Sequence, residues 1–266
     1  MESLIQVAKQ SERMDFYLNS SHNNESFSID DYIFLLDTIT ESVHLQTVVL
    51  HDELPIQETF SMLKSCPNIR TINMNFKFFQ DMIEYHQNCM DQDYYSDFED
   101  VNVWDGMNNL KCIILSGDSI IHGTFSSLPL HLEAFTLMFY SMSDLDGRFL
   151  SHFLKNSTQL TNLSIIQRVY EFNGDEISSE TVESLFESLQ EHSSLIKMYI
   201  HLYNMTDACY NSLTTLIHNS KDLVSIGIPD QGRNENAAMK SFMTRIKSLM
   251  LVSLLFTSKI SSIGYC

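Results

Sequence analysis

Apolar residues along this chain recur in a short motif, Leu-x-x-apolar-x-apolar, whose clearest copy is Leu160, Leu163 and Ile165. The same spacing holds at Leu45, Val48, Leu50, at Ile69, Ile72, Met74, at Leu110, Ile113, Leu115 and at Leu132, Phe135, Leu137. It returns at Leu195, Met198, Ile200, at Leu223, Ile226, Ile228 and at Leu249, Val252, Leu254. Residues two apart on a strand share a face, so the last two anchors of each copy point into a core and their neighbours point away. Intervals of 24, 41, 22, 28, 35, 28 and 26 residues between first anchors indicate stacked repeats rather than one closed core.

Upstream of most copies lies a helical pattern. Apolar residues stand ten positions before the first anchor (Leu35, Leu150, Leu185, Leu213, Met239) and again six before it (Ile39, Leu63, Leu154, Leu189, Ile217, Met243). A spacing of four on one face is amphipathic helix periodicity. Each unit therefore reads as a strand plus a helix. Ser28 or Asp30 would cap a first helix with its apolar side at Ile33, Leu35, Leu36 and Ile39. Pro55 suits the first turn of the next. FKFFQDMIEYHQNCM supplies a third, Ser179 or Thr181 starts a later one, and GRNENAAMKSFMTRIKS supplies the last.

This pattern resembles leucine-rich repeats, in particular the long helix-containing class of ribonuclease-inhibitor-like and F-box-associated horseshoes. The resemblance covers about 35–254. It implies an α/β solenoid, a curved horseshoe with parallel strands on the concave side and helices on the convex side. Cys66, three residues before its anchor, resembles the inward-packed Cys that often starts F-box-type repeats. One departure is plain. Family repeats carry Asn or Cys eight residues after the first anchor; this chain has Glu53, Lys77, Asp118, Tyr140, Arg168, Tyr203, Gln231 and Thr257 there. Irregular turns follow as the expectation.

The whole chain, 1–266, reads as one repeat domain: 1–40 a cap and first helix with an irregular strand around Phe16 and Leu18, 91–103 an acidic insertion, 255–266 a closing edge. The 41-residue interval holds DQDYYSDFEDVNVWDG as its surplus, a docking loop candidate at Asp93, Tyr94, Tyr95, Asp97, Glu99 and Asp100. Trp104, close to Leu110, is expected to tuck into the body. The 22-residue interval has glycines and a proline where a helix would sit, so an extended or single-turn connection is expected. The 35-residue interval has Asn173-Gly174 as a turn.

Charge narrows the partner classes. Sixteen basic and thirty-four acidic residues leave a net charge of -18, opposed to nucleic acid phosphates and to anionic membrane surfaces. Residues 1–105 carry -14 and 106–266 carry -4, so a basic partner would be steered to the N-terminal half. There is no stretch of eighteen apolar residues and no signal-like start. Five widely spaced cysteines suit a reducing compartment, cytoplasmic or nuclear.

Motifs for chemistry are few. The ten histidines form no His-Glu-x-x-His, His192 and His201 are too far apart in sequence to imply joint ligation, and no paired Cys-x-x-Cys occurs. There is no phosphate loop, no Gly-x-Ser-x-Gly elbow and no calcium loop. No catalytic residue, cofactor or metal is expected.

The outward strand positions are more informative. Three columns, headed by Thr47, Val49 and His51, hold 24 residues with one Lys and no Asp, Glu or Arg. Interfaces have apolar centres depleted in charge. The expected contact residues are Val49, Asn73, Ile114, Met138, Ile166, Lys197, Tyr199, His201 and Leu255. The expected function is a non-enzymatic protein-interaction module that takes a protein or peptide on its concave face. The alternatives are a substrate-recognition subunit of a ubiquitin ligase, a hydrolytic or metal-dependent enzyme using the acidic insertion, and a unit assembling through its C-terminal edge.

Overall fold

The computed structural model of the chain describes residues 10–16, 29–40, 42–51, 54–90, 104, 106–118, 120, 124–168, 177–203, 205–220, 222–227 and 244. Within them the protein is α/β, built of strand–helix repeats whose strands run parallel and in chain order within each unit. Two compact units divide it, 1–117 with 127–129, and 118–126 with 130–266. The first unit holds β1 (Arg13–Phe16), β2 (Thr47–Leu50), β3 (Thr71–Asn75) and β4 (Cys112–Ser116), with α1 (Ile29–Ile39), α2 (Ile56–Ser65) and α3 (Phe76–Met90). The second holds β5 (Ala134–Phe139), β6 (Asn162–Gln167), β7 (Lys197–His201) and β8 (Ser225–Gly227), with α4 (Asp144–Asn156), α5 (Ser179–Leu189) and α6 (Asp207–Asn219).

The apolar anchors set the register. Val48 pairs with Ile72 and Ile72 with Ile113; Phe135 pairs with Leu163, Leu163 with Met198 and Met198 with Ile226. A slip by one residue would turn every anchor to the opposite face, so burial of the anchors fixes the pairing. A regular backbone contact reinforces it where strands begin. Glu12 O accepts from the N–H groups of Gln46 and Thr47, Gln46 O from Arg70 and Thr71, and Arg70 O from Lys111 and Cys112. In the second unit Glu133 O serves Thr161 and Asn162, Thr161 O serves Ile196 and Lys197, and Ile196 O serves Val224 and Ser225.

That contact shows β1 to be a full copy of the motif. Met14 pairs with Val48 and Phe16 with Leu50, and Ser11 stands where the other copies have Leu or Ile. Because a polar residue opens it, the spacing was hidden. The strand is not irregular, and it brings Arg13 and Asp15 beside Thr47 and Val49 on the outward side. Leu18, Ile228 and the copy at Leu249, Val252 and Leu254 lie outside the described residues, as do the Asn173-Gly174 turn, Met239, Met243 and the expected last helix apart from Thr244.

Helix termini follow local chemistry. Asn75 Oδ1 accepts from Phe78 N–H at 2.7 Å, so Asn75 starts α3. Ser143 Oγ accepts from Asp146 N–H at 3.2 Å at the start of α4. α5 starts at Ser179, as expected, and Ser178 caps it: its Oγ accepts from Thr181 N–H at 3.2 Å. In α1 the buried side is Tyr32, Leu36 and Ile39, while Leu35 is only half-buried and Phe34 is 49% exposed. Between β4 and β5 the described residues 124–130 are turns without a helix, as the glycines and proline require.

In place of the absent Asn ladder, side chains three residues before the anchors tie repeats together as the helices end. Cys66 Sγ donates to Ile39 O (3.4 Å), Ser220 Oγ to His192 O (2.6 Å) and His192 Nε2–H to Leu154 O (2.6 Å). Gln167 adds a link past the strand ends, its Oε1 accepting from Tyr203 N–H at 3.0 Å.

His192 makes a pH test. It is buried, its Nε2–H faces a carbonyl that can only accept, and its Nδ1 has no hydrogen-bond partner among the described residues. Burial pushes its pKa below the ordinary histidine range, partly opposed by the bond to Leu154. The unfolded chain, with histidine near 6.5, then takes up a proton that the folded chain refuses. Stability contributed here is expected to fall as pH drops through about 6.5 and to level off below the folded value. Burial lowers the His201 pKa too and adds a slope of the same sign. Urea midpoints should therefore fall between about pH 7.5 and about pH 5.5, and fall less in His192→Gln. Equal slopes would remove His192 as the cause.

Candidate binding face on the sheet

Parity on the strands builds the site. In the second unit the inward residues of β5, β6 and β7 are buried: Phe135, Leu137 and Phe139, then Leu163 and Ile165, then Met198 and Ile200. Their neighbours must then face away. Thr136, Ser164 and Tyr199 form one row across the strands, and Met138, Ile166 and His201 form the next. Ala134, Asn162, Lys197 and Ser225 form the row before them. Asn162 and Lys197 are exposed and the other described side chains in these rows are half-buried.

Past the strand ends the face gains a cation and two rings. Arg168 Cζ lies 5.8 Å from the Tyr140 ring centroid, and its guanidinium donates to Met138 Sδ at 3.4 Å. Tyr203 lies against His201, with ring centroids 5.3 Å apart. Burial lowers the His201 pKa and favours its neutral form, and it raises the Tyr203 phenol. No Asp or Glu occupies the outward strand positions of β5 to β8. The face thus presents Tyr140, Tyr199, Tyr203, Ile166 and Met138 with Lys197 and Arg168 as its fixed charges.

The first unit carries a different outward face. Asn73 and Ile114 pair side by side and are half-buried, next to Thr71 and Cys112. Burial raises the Cys112 thiol, with a weaker opposing bond from Thr71, so the reactive thiolate is disfavoured. Val49 departs from expectation. It is 7% exposed, with Asp15 of β1 as its strand partner, and offers a ligand almost nothing. Arg13 Nε lies 2.9 Å from Asp15 Oδ1, an exposed pair that puts charge on this edge of the sheet. Sequence reading missed both charges for the reason given above, the polar residue at Ser11.

Leu255 and the docking loop candidates Asp93, Tyr94, Tyr95, Asp97, Glu99 and Asp100 lie outside the described residues. Among the described residues no cluster of three His, Cys, Asp or Glu could hold a metal ion, and no helix is long and apolar enough to cross a membrane.

No family model matches the chain, and no curated protein does. Among solved structures it is similar to leiomodin-1 actin-binding site 2, with 11% identity and a TM-score of 0.26 over 94% of this chain and 96% of that one. It is also similar to the tropomodulin C-terminal domain from Caenorhabditis elegans, with 9% identity and a TM-score of 0.22 over 94% of this chain and 98% of that one. Superpositions this loose assign no residue of the present chain a role.

Proposed function

We propose that this chain is a non-catalytic protein-binding repeat domain that takes its partner on the outward face of β5, β6 and β7. The observation carrying this is the absence of carboxylates from that face in a chain with thirty-four of them. A solvated strand face tolerates Asp and Glu freely, whereas the centre of an interface is depleted in them and enriched in Tyr, Met and Arg. Tyr199 and Ile166 lie at its middle. Each substitution, Tyr199→Asp or Ile166→Asp, is expected to weaken capture of the native partner by about tenfold or more, the usual effect of losing a central aromatic or aliphatic anchor. The measurement is affinity purification from native cells with quantification of retained proteins, alongside urea midpoints to show that the variants fold. Unchanged capture by a folded variant would remove this face from the function.

A substrate-recognition role in a ubiquitin ligase is the narrower form of this reading, supported only by the repeat resemblance. Retention of ligase components in the same purification tests it. A reducing compartment, cytoplasm or nucleus, fits the described cysteines, none of which forms a disulfide.

A further inference from the structure

We propose that the β5–β7 face receives an extended acidic segment of a partner protein, one with two carboxylates about six residues apart and an apolar residue between them. The inference rests on the reading of that face given above and adds the chemistry of the occupant.

The spacing comes from the two cations. Lys197, at the start of β7, is in register with Asn162 at the start of β6. Arg168 follows β6 at the other end, six residues after Asn162. At about 3.3 Å per residue, Lys197 and Arg168 stand about 20 Å apart along the strand direction. An extended ligand advances by the same amount per residue, so carboxylates six positions apart meet both cations. Between them lie Ser164, Ile166, Tyr199 and His201, half-buried and without fixed charge, a surface that suits an apolar or aromatic side chain.

Both cations are exposed, and among the described residues neither forms an ion pair. The Tyr140 ring and Met138 sulfur hold the Arg168 guanidinium in place, so little side-chain freedom is lost when a carboxylate binds it. A basic ligand would meet two like charges on this face, with no carboxylate on the outward strand positions to offset them. The chain's overall negative charge acts on the ligand at longer range, and ions in solution screen it beyond roughly 10 Å.

The experiment uses the full chain and fluorescence polarisation with three labelled peptides: Asp-Gly-Ser-Phe-Ser-Gly-Asp, its Lys counterpart with both Asp replaced, and the neutral Gly counterpart. The Asp peptide is expected to bind more tightly than the other two. Reversing both cations, Lys197→Glu with Arg168→Glu, should weaken it by about tenfold or more and transfer the preference to the Lys peptide. Both substituted side chains are exposed, and urea midpoints check that the variant folds. The inference is overturned if the Asp peptide binds no better than the neutral one, or if the order of the peptides survives the charge reversal. Native-partner capture separates the two levels. Capture lost in Tyr199→Asp with no preference among peptides overturns the acidic occupant and leaves the face; capture retained in folded Tyr199→Asp overturns both.

Discussion

Replacing Trp104 by Ala is expected to lower stability by about 3–5 kcal/mol, the usual cost of deleting a large buried aromatic side chain. Trp104, the sole tryptophan in the chain, is 3% exposed and stacks on Phe79 with ring centroids 5.5 Å apart and planes 22° apart. Such a pair adds about 0.5–1.5 kcal/mol beyond the area it buries. Phe79 belongs to α3, where Phe76, Phe78, Met82 and Ile83 are also buried, so a hole under the indole opens onto the core of the first unit. The backbone holds the ring there by a turn: Met107 N–H donates to Trp104 O at 2.9 Å, and Gly106 takes a φ of +87° that other residues rarely adopt. Trp104→Phe keeps a ring against Phe79 and should recover most of the loss. Far-ultraviolet circular dichroism during urea unfolding is the appropriate measurement, because the substitution removes the fluorophore. A loss below about 1 kcal/mol in Trp104→Ala would show that the first unit does not depend on this stack.

The position of Trp104 was legible because a large apolar ring lies close to the strand anchor Leu110. Strand register was legible for a related reason: alternate apolar residues leave only one pairing that buries them all. Helical faces were less so. Periodicity placed Leu36 and Ile39 on the buried side and left Phe34 out, as found, but Ile33 and Leu35, expected on the same side, are only half-buried. The ties where helices end were invisible as a pattern, because Cys66, His192 and Ser220 share a position and a role but not a chemistry. The proposed binding face divides in the same way. Parity alone placed Met138, Ile166, Lys197, Tyr199 and His201 together. Arg168 was not among the expected contacts because it follows the strand, at the turn position where an Asn was sought. Val49 has the outward parity of a contact residue, yet it is only 7% exposed, which strand alternation alone does not reveal.

Gly147→Ala should destabilise the second unit by about 1–3 kcal/mol, although alanine in an open helix interior is worth about 1 kcal/mol over glycine. The site is not open. A Cβ on Gly147 would lie 2.0 Å from Thr181 Cγ2 on the neighbouring helix. Thr181 has little room to yield: its hydroxyl donates to Asp144 Oδ1 at 2.6 Å and its N–H donates to the Ser178 cap. The overlap must therefore push α4 and α5 apart, loosening Leu150, Phe153, Val182 and Leu185, all buried. Thr181→Ser removes the offending methyl and keeps the hydroxyl. The next contacts of the added Cβ are Thr181 Cβ at 3.5 Å and Oγ1 at 3.7 Å, ordinary van der Waals distances. In that background Gly147→Ala should become neutral or stabilising, a reversal of sign that a double-mutant cycle on urea midpoints reads directly. Equal destabilisation with and without the methyl would mean that close helix approach is not what the glycine provides, and that the spacing of α4 and α5 is set elsewhere in the repeat.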